Sequence, residues 1–176
     1  SNTLVGGCKN STIPAGVTKI GFRAFYCSPI TSIDIPDSIT AIECQAFCSS
    51  SLQSLKFSNS TIDIGTHAFS NCEYLTHVFI PRELVIIEHP IFSGCPSLTS
   101  ISVDRDNPKF DSREDCNAII ETATNRLILG CQNTIIPNTV TSIEFAFMWC
   151  KSLKSIIIPN GVTNIDLLKK ITDASS

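Results

Sequence analysis

A motif of 22 or 23 residues recurs along almost the whole chain and constrains its fold more than any other feature. Each copy closes with Ile-x-Ile-Pro or a variant of it, and the closing position falls at Pro14, Pro36, Ser58, Pro81, Asp104, Pro137 and Pro159. The intervals are 22, 22, 23, 23, 33 and 22 residues. This period is typical of a solenoid, in which each coil packs mainly against its neighbours. We therefore predict that residues 1–176 form a single stacked array.

Apolar side chains occupy fixed positions within each copy. An aliphatic residue lies six positions after the anchor, and a Phe, usually preceded by Ala, follows it at Phe25, Phe47, Phe69, Phe92 and Phe147. We predict that the Ala-Phe step is a single helical or 3-10 turn. The small Ala permits close approach between coils, so the Phe side chains are expected to stack as a ladder in the core.

Each copy ends in an alternating L-x-x-I-x-I run, which has the period of a strand. Because successive strand side chains point to opposite faces, Ile33 and Ile35 are predicted to point inward and Ser32 and Asp34 outward. Stacked copies would pair these strands in parallel, and the remaining residues of each copy would supply the crossover. The V-T-x-I segment is expected to form a short second strand. The predicted fold is an α/β repeat solenoid with one parallel β-sheet.

The longer interval before Pro137 interrupts the regular pattern. Two apolar runs at 118–120 and 127–129, joined by polar residues, predict an inserted β-hairpin. We expect regular coils over 4–104, an irregular module over 105–136, and a regular coil with a cap or a truncation over 137–176. Leu167, Leu168 and Ile171 would form the cap. The sequence does not decide whether the hairpin is a second contact point or decoration.

The first residues resemble part of the irregular module. LVGGCKNSTIP at 4–14 matches LILGCQNTIIP at 127–137. We therefore expect the chain to be a piece of a longer repeat protein, with any targeting sequence upstream.

Composition argues against several classes of protein. A net charge of -3 with only 16% charged residues disfavours nucleic-acid binding. No apolar run is long enough to predict membrane insertion in this segment.

The nine cysteines are odd in number and mostly follow the repeat. Disulfides between neighbouring coils are geometrically feasible, since the strand spacing falls within the Cα range of roughly 4.4–6.8 Å, but reduced, buried thiols are favoured.

The sequence predicts no catalytic, metal or cofactor site. His67, His77 and His89 fall in different repeat positions, and Cys44 and Cys48 flank a predicted core Phe. Acids follow the column aliphatic in several copies and are predicted to be solvated; they are Glu43, Glu88, Glu144 and Asp166. No serine lies in a G-x-S-x-G motif, and glycine-rich phosphate loops are absent. The chain is therefore predicted not to be an enzyme.

The outward strand positions are the remaining candidates for a functional surface. One column reads Ser32, Ser54, His77, Ser100 and Ser155, and the next reads Asp34, Lys56, Phe79, Ser102 and Ile157. Phe79 and Ile157 are apolar where exposure is expected, and exposed aromatic residues are reasonable binding anchors. The candidate binding residues are Asp34, Lys56, His77, Phe79, Ser102 and Ile157. Coverage by flanking loops, or scattered apolar residues without function, is the alternative interpretation.

The unit I-P-x-x-V-T-x-I-x-x-x-A-F-x-x-C-x-S-L-x-x-I-x-I-P resembles the BspA-type leucine-rich repeat, most clearly at Ile13–Pro36 and Ile136–Pro159. The stretch 107–137 is similar to a module found between regular repeats in that family. The resemblance implies a right-handed superhelix and a surface or secreted protein of a host-associated microbe. It also implies attachment to host extracellular-matrix or cell-surface proteins.

The resulting functional hypothesis is a non-catalytic, adhesin-like segment that binds a protein ligand. A structural spacer that displays another domain is one alternative. A glycan-binding module is another, although Trp149, Tyr26 and Tyr74 lie near the turns rather than in one strand column, which weakens that interpretation.

Overall fold

The computed structural model describes residues 2–88, 90–143, 145–147 and 150–165. Over these residues the chain winds as a solenoid in which successive repeats form successive coils. The predicted repeat solenoid is confirmed. The predicted cap at Leu167, Leu168 and Ile171 lies outside the described residues.

Eleven short strands and one 3-10 helix, at Arg113–Asp115, occur in the described residues. The first sheet is parallel and contains β1 (Thr3–Leu4), β2 (Lys19–Ile20), β3 (Ala41–Ile42), β5 (Asp63–Ile64) and β7 (Ile86–Ile87). The second is also parallel and contains β4 (Ser54–Lys56), β6 (His77–Ile80) and β8 (Ser100–Val103). The third is antiparallel, in the order β11-β10-β9, with β9 (Phe110–Asp111), β10 (Ala118–Glu121) and β11 (Arg126–Gly130).

The V-T-x-I segments build the first sheet. Their two-residue strands pair in parallel from one coil to the next. Two isolated parallel bridges, from Arg126 to Ser142 and from Ser142 to Asn164, continue this pairing after the irregular module. The predicted short second strands are therefore a sheet of their own, which the expectation of one parallel sheet did not include.

The closing runs build the second sheet, and their side chains alternate as predicted. In β6 the side chains of Val78 and Ile80 are buried, while those of His77 and Phe79 are exposed. The equivalent run at 32–35 also alternates between buried and exposed residues, but it is not a strand. A backbone hydrogen bond from Gln53 N–H to the Thr31 carbonyl, 3.0 Å long, links that run to the following coil.

The Ala-Phe step forms a series of turns, not a helical turn. In the first coil Arg23 and Cys27 have φ angles of 57° and 53°, in the left-handed region, which stops the turns from continuing as a 3-10 helix. The Phe25 N–H instead donates to the Ala46 carbonyl of the next coil at 2.7 Å. The turns therefore form a further hydrogen-bonded ladder along the solenoid. Later coils repeat the left-handed residues at Gln45, Ser49, His67 and Asn71.

The predicted Phe ladder runs through the first four regular coils. The rings of Phe25, Phe47, Phe69 and Phe92 stack with centroid separations of 4.8, 5.2 and 5.3 Å. All four side chains are buried. Stacked pairs of this kind contribute about 0.5–1.5 kcal/mol beyond the burial of their area. Phe147 is also buried, but it belongs to a separate core cluster.

The hairpin of β10 and β11 forms a wall between the two core clusters. Ile119 and Ile128 pack in the cluster that contains the Phe ladder, whereas Ile120 and Leu127 pack in the cluster of Phe147. The strands are thus largely buried, and the exposed part of the hairpin is the turn at 122–124. The strands of the hairpin are therefore part of the core and not surface decoration.

A glycine lies against the first Phe ring of each core cluster. A Cβ atom on Gly7 would lie 2.1 Å from Cε1 of Phe25, and a Cβ atom on Gly130 would lie 2.2 Å from Cε1 of Phe147. The N–H groups of Gly7 and Gly130 donate to the carbonyl oxygens of Ala24 and Ala146 in the next coil, at 2.8 and 2.9 Å. The two similar sequences at 4–14 and 127–137 therefore have the same role in packing.

We expect Gly7→Ala to destabilise the fold by about 2 kcal/mol, because the added methyl group overlaps a buried ring. Gly6→Ala is the matched control, since a Cβ atom there meets no atom within 4 Å. Denaturant unfolding of both variants and the parent checks the prediction. Equal midpoints for the two variants would contradict the proposed contact with Phe25.

Asn107 fixes the irregular module to the preceding coil. Its side chain is 9% exposed. Nδ2 donates to the carbonyls of Pro81 and Leu84 at 2.8 and 2.9 Å. Oδ1 accepts from the backbone N–H groups of Lys109 and Phe110 at 3.0 and 2.8 Å. The amide therefore uses both of its donors and both acceptor positions.

Arg113 links the same module to the next regular coil. Its guanidinium pairs with the Asp111 carboxylate and also donates to Asn125 Oδ1 at 2.9 Å and Thr139 Oγ1 at 3.2 Å. Partial burial pushes the pKa of Asp111 upward, but the hydrogen bonds from Arg113 and Thr122 outweigh it and hold that pKa below its ordinary value. The ionised carboxylate therefore stabilises the fold above its unfolded pKa. This stabilisation is lost as the pH falls through the lowered folded pKa.

Candidate binding surfaces

The strand face consists of the exposed side chains of β4, β6 and β8. The register places Phe79 directly between Lys56 and Ser102, and it places His77 between two serines of the neighbouring strands. Neighbouring strands lie about 4.8 Å apart, so these side chains are adjacent. The structure therefore brings together Lys56, His77, Phe79 and Ser102, which are four of the six candidate residues.

The other two candidates are exposed but are not part of this sheet. Asp34 lies in the preceding coil, in the run that does not form a strand. Ile157 is 88% exposed, and the hairpin module separates it along the chain from β8. Sequence periodicity placed Ile157 in the same column because it did not reveal the wall formed by β10 and β11.

Threonine side chains hold the backbone in place directly before strands β6 and β8. Thr76 Oγ1 donates to the Gln53 carbonyl at 3.2 Å, and Thr99 Oγ1 donates to the Thr76 carbonyl at 3.3 Å. Each hydroxyl thus reinforces the contact with the preceding coil. The strand face combines a half-exposed aromatic ring, one lysine and several hydroxyl groups on a hydrogen-bonded scaffold. Such an arrangement suits an apolar anchor with polar contacts around it.

The two histidines that the structure describes, His67 and His77, have separate hydrogen-bond partners. His67 Nδ1 lies 3.0 Å from Ser70 Oγ, and His77 Nδ1 lies 2.9 Å from Thr76 Oγ1. His89 lies outside the described residues. Among the residues that the structure describes, no three His, Cys, Asp or Glu side chains are grouped so as to hold a metal ion.

The acidic column makes contacts that the sequence did not predict. Glu43 Oε2 accepts a hydrogen bond from the Phe22 N–H at 2.9 Å, and Glu88 Oε2 accepts one from the Thr66 N–H at 3.2 Å. These carboxylates therefore cap the turn of the preceding coil. Glu144 and Asp166 lie outside the described residues.

The nine cysteines are free thiols that differ in exposure. The thiols of Cys72 and Cys95 are buried and donate to the carbonyls of Phe47 and Phe69, at 3.3 and 3.2 Å. Cys27 occupies the same repeat column but is exposed, as is Cys8, and Cys44 and Cys150 are only partly buried. The prediction of burial is therefore wrong for these four cysteines. Burial raises the pKa of Cys116 to about 11, which keeps that thiol protonated.

An exposed cluster of Phe22, Arg23 and Tyr26 was missed by the sequence reasoning. The guanidinium carbon of Arg23 lies 5.0 Å from the Phe22 ring centroid and 4.8 Å from the Tyr26 ring centroid. The signal was the segment F-R-A-F-Y, where an arginine lies between aromatic residues on both sides of a core step. Trp149 lies outside the described residues, and Tyr74 is exposed.

The stacked parallel strands, the Phe ladder and the exposed strand face define a leucine-rich-repeat solenoid whose candidate sites lie on its surface. More specifically, the chain belongs to the family described as the BspA type leucine-rich repeat region, which matches it in six copies over residues 6–116 and 126–167. The resemblance inferred from the repeat motif is confirmed.

Crystal structures of bacterial leucine-rich repeat proteins share the fold. A protein from Eubacterium ventriosum is 22% identical over 87% of this chain and 48% of its own, with a TM-score of 0.63. A protein from Bacteroides ovatus is 28% identical over 86% of this chain and 37% of its own, with a TM-score of 0.62. The pneumococcal vaccine antigen PcpA is 20% identical over 86% of this chain and 51% of its own, with a TM-score of 0.64.

The chain thus spans about half, or less, of the length of these three proteins. No curated protein matches the sequence. In the part of the chain that the structure describes, no helix has the length and apolar character needed to span a bilayer.

Proposed function

We propose that this chain is a non-catalytic, protein-binding segment of a cell-surface or secreted protein, with an adhesin-like role toward host extracellular-matrix or cell-surface proteins. Membership in the BspA type family supports this proposal. Repeat solenoids commonly bind partners through an extended surface that the stacked coils present. The hydrogen-bonded coils would hold this surface in place before binding, which lowers the entropic cost of association.

The single observation that carries the proposal is the position of Phe79 on the strand face. Its ring remains 44% exposed although it lies on the central strand of the sheet, between Lys56 and Ser102. An exposed aromatic residue beside a cation can bury its ring against an apolar partner group while the lysine pairs with an acidic one. The chemistry therefore favours a protein ligand that presents apolar and acidic side chains close together.

A structural spacer that displays another domain is the second candidate. The observation in its favour is the composition of the strand face, where serine fills most of the other outward positions of β4, β6 and β8. Serine is under-represented among residues that dominate binding energy. A spacer would not bind any partner through this surface.

We expect the folded chain to bind at least one extracellular-matrix protein saturably in a solid-phase assay. The double variant Lys56→Ala, Phe79→Ser should bind about tenfold more weakly or worse, a loss of about 1.4 kcal/mol or more, because it removes the aromatic anchor and the cation of the strand face. Circular dichroism and thermal unfolding must first show that the variant folds like the parent.

A matched control removes similar side chains from the first sheet. Lys19→Ala, Ile86→Ser changes one exposed lysine and an isoleucine that is 46% exposed. This control should retain parental affinity. Binding that is lost equally in both double variants would argue against the strand face, and the absence of binding by the parent would favour the spacer.

A further inference from the structure

The cluster of Phe22, Arg23 and Tyr26 presents a guanidinium group in a fixed orientation. The group contacts both rings, and Arg23 Nε donates to Gln45 Oε1 of the next coil at 2.6 Å. Contacts between an arginine and aromatic rings are worth about 0.5–1 kcal/mol each at exposed sites. Arg23 therefore has less side-chain freedom to lose when it binds a ligand than an ordinary surface arginine.

The rest of the guanidinium remains available. Within the described residues, no hydrogen bond or ion pair is formed by the two Nη groups of Arg23, which carry four N–H donors. The flanking rings are also accessible, since Phe22 is 56% exposed and Tyr26 is 45% exposed. The cluster therefore offers a planar donor fork beside two exposed aromatic rings.

The cluster is compact and does not continue along the solenoid. The following two coils have no aromatic residue in either ring column, where they carry Cys44, Thr66, Cys48 and Ser70. An extended peptide running across the coils would leave the aromatic surface after one repeat. A compact ligand with one anionic group and an apolar face matches the cluster better.

We propose that Phe22, Arg23 and Tyr26 form a binding site for an acidic sugar, that is, one residue of a glycan that carries a carboxylate or a sulfate group. The Nη groups would donate in parallel to two oxygens of the anion, which is the geometry that guanidinium groups favour. The C–H face of the sugar ring would pack on Phe22 or Tyr26. This site lies in the turns and is distinct from the strand face proposed for protein binding.

The neighbouring carboxylate sets the expected electrostatics. Glu43 accepts the hydrogen bond from the Phe22 N–H, and it forms no ion pair with Arg23 within 4.0 Å. Its negative charge opposes an anionic ligand nearby. Glu43→Gln keeps an oxygen for the Phe22 N–H and removes the charge, so this variant should bind an acidic sugar about two- to threefold more tightly. A neutral sugar would not distinguish the two proteins.

The test is a ligand-observed NMR titration of the folded chain with three probes: 3′-sialyllactose, a sulfated chondroitin disaccharide, and lactose as the neutral sugar. We expect at least one acidic probe to bind with a dissociation constant of about 1 mM and to bind about tenfold more tightly than lactose. Preference between the two acidic probes identifies the anion as a carboxylate or a sulfate.

Variants assign the binding to the cluster. Arg23→Gln should weaken acidic-sugar binding about tenfold, and Phe22→Ala should weaken it about threefold. Arg82→Gln, at an exposed arginine elsewhere, and Lys56→Ala, on the strand face, should leave it unchanged. Lys56→Ala also separates this result from the protein-binding proposal, because it changes the strand face and leaves the cluster of Phe22, Arg23 and Tyr26 intact.

Three results would overturn the proposal. One is the absence of saturable binding by both acidic probes, and another is equal affinity for lactose and the acidic sugars. The third is an acidic peptide that binds through Arg23 at least as tightly as the sugars, which would assign the cluster to a protein ligand instead.

Discussion

Phe69→Ala is expected to reduce the free energy of unfolding by about 4 kcal/mol, which is in the upper part of the range for large-to-small core substitutions. Phe69 is fully buried and stacks on Phe47 and Phe92 at 5.2 and 5.3 Å. It also makes an edge contact with Phe57, at a centroid separation of 5.7 Å. The hydrogen-bonded turns on both sides restrict collapse of the resulting cavity. Denaturant unfolding measured by circular dichroism gives the free energy.

The matched control for this prediction is Phe79→Ala, which removes the same atoms from the half-exposed ring on the strand face. We expect it to cost less than about 1 kcal/mol, since much of that ring is already in water. A similar loss for both variants would mean that the ladder contributes little beyond the general apolar content of the chain.

Asn107→Asp is expected to destabilise the fold by about 4 kcal/mol at neutral pH, although the two side chains have nearly the same shape. The amide Nδ2 donates to two carbonyls, at 2.8 and 2.9 Å, and a carboxylate would place a negatively charged acceptor there instead. Both carbonyls would lose their donor in a site that is only 9% exposed. Thermal and denaturant unfolding at pH 7 measures the loss.

The pH dependence of this variant identifies the cause. Burial against carbonyl oxygens raises the folded pKa of the new carboxyl group above its unfolded value of about 3.9. Between these two values the folded state binds more protons than the unfolded state, so the stability of the variant rises relative to the parent as the pH falls. A deficit that does not change with pH would show that altered packing, and not charge, is responsible.

Asn133→Asp provides the control for the same chemical exchange at an exposed position. Asn133 Nδ2 makes one hydrogen bond, to the Thr99 carbonyl at 3.2 Å, where water can replace it. The expected loss is below about 1 kcal/mol and should depend little on pH.

Periodicity was sufficient to predict the coils, the inward-facing Phe residues and the alternation of β6, because these features follow from spacing alone. The turns were predicted less well. Their left-handed residues, such as Arg23 and Cys27, are not glycines, and an isolated sequence gives little indication that such residues have a positive φ. Interpretation of the Ala-Phe step as helical therefore missed the ladder that its N–H groups form with the next coil.

After the insertion interrupts the repeat, the position of a residue within the motif no longer predicts which residues of other coils it contacts. The apolar residues of 118–120 and 127–129 predicted a hairpin, but their burial on both sides depends on how the chain returns after the insertion. The position of Ile157 was inferred by extending a column across that insertion. Its neighbours Ile156 and Ile158 pack against the core cluster of Phe147, whereas Val78 and Ile80, the neighbours of Phe79, lie in the other cluster. The Arg23 cluster required the side-chain geometry of two neighbouring coils.

The glycines beneath Phe25 and Phe147 have a consequence for how such a chain can vary in length. Each glycine lies directly against a buried ring, because a residue without a Cβ atom leaves room for the ring there. Any number of further coils can then be added before the next hairpin, without changing either boundary. Insertion or deletion of whole repeats would therefore lengthen or shorten the outward surface, while each ring of the ladder still packed against the equivalent ring of an adjacent coil. Surface size can thus be adjusted independently of the elements that start and divide the core.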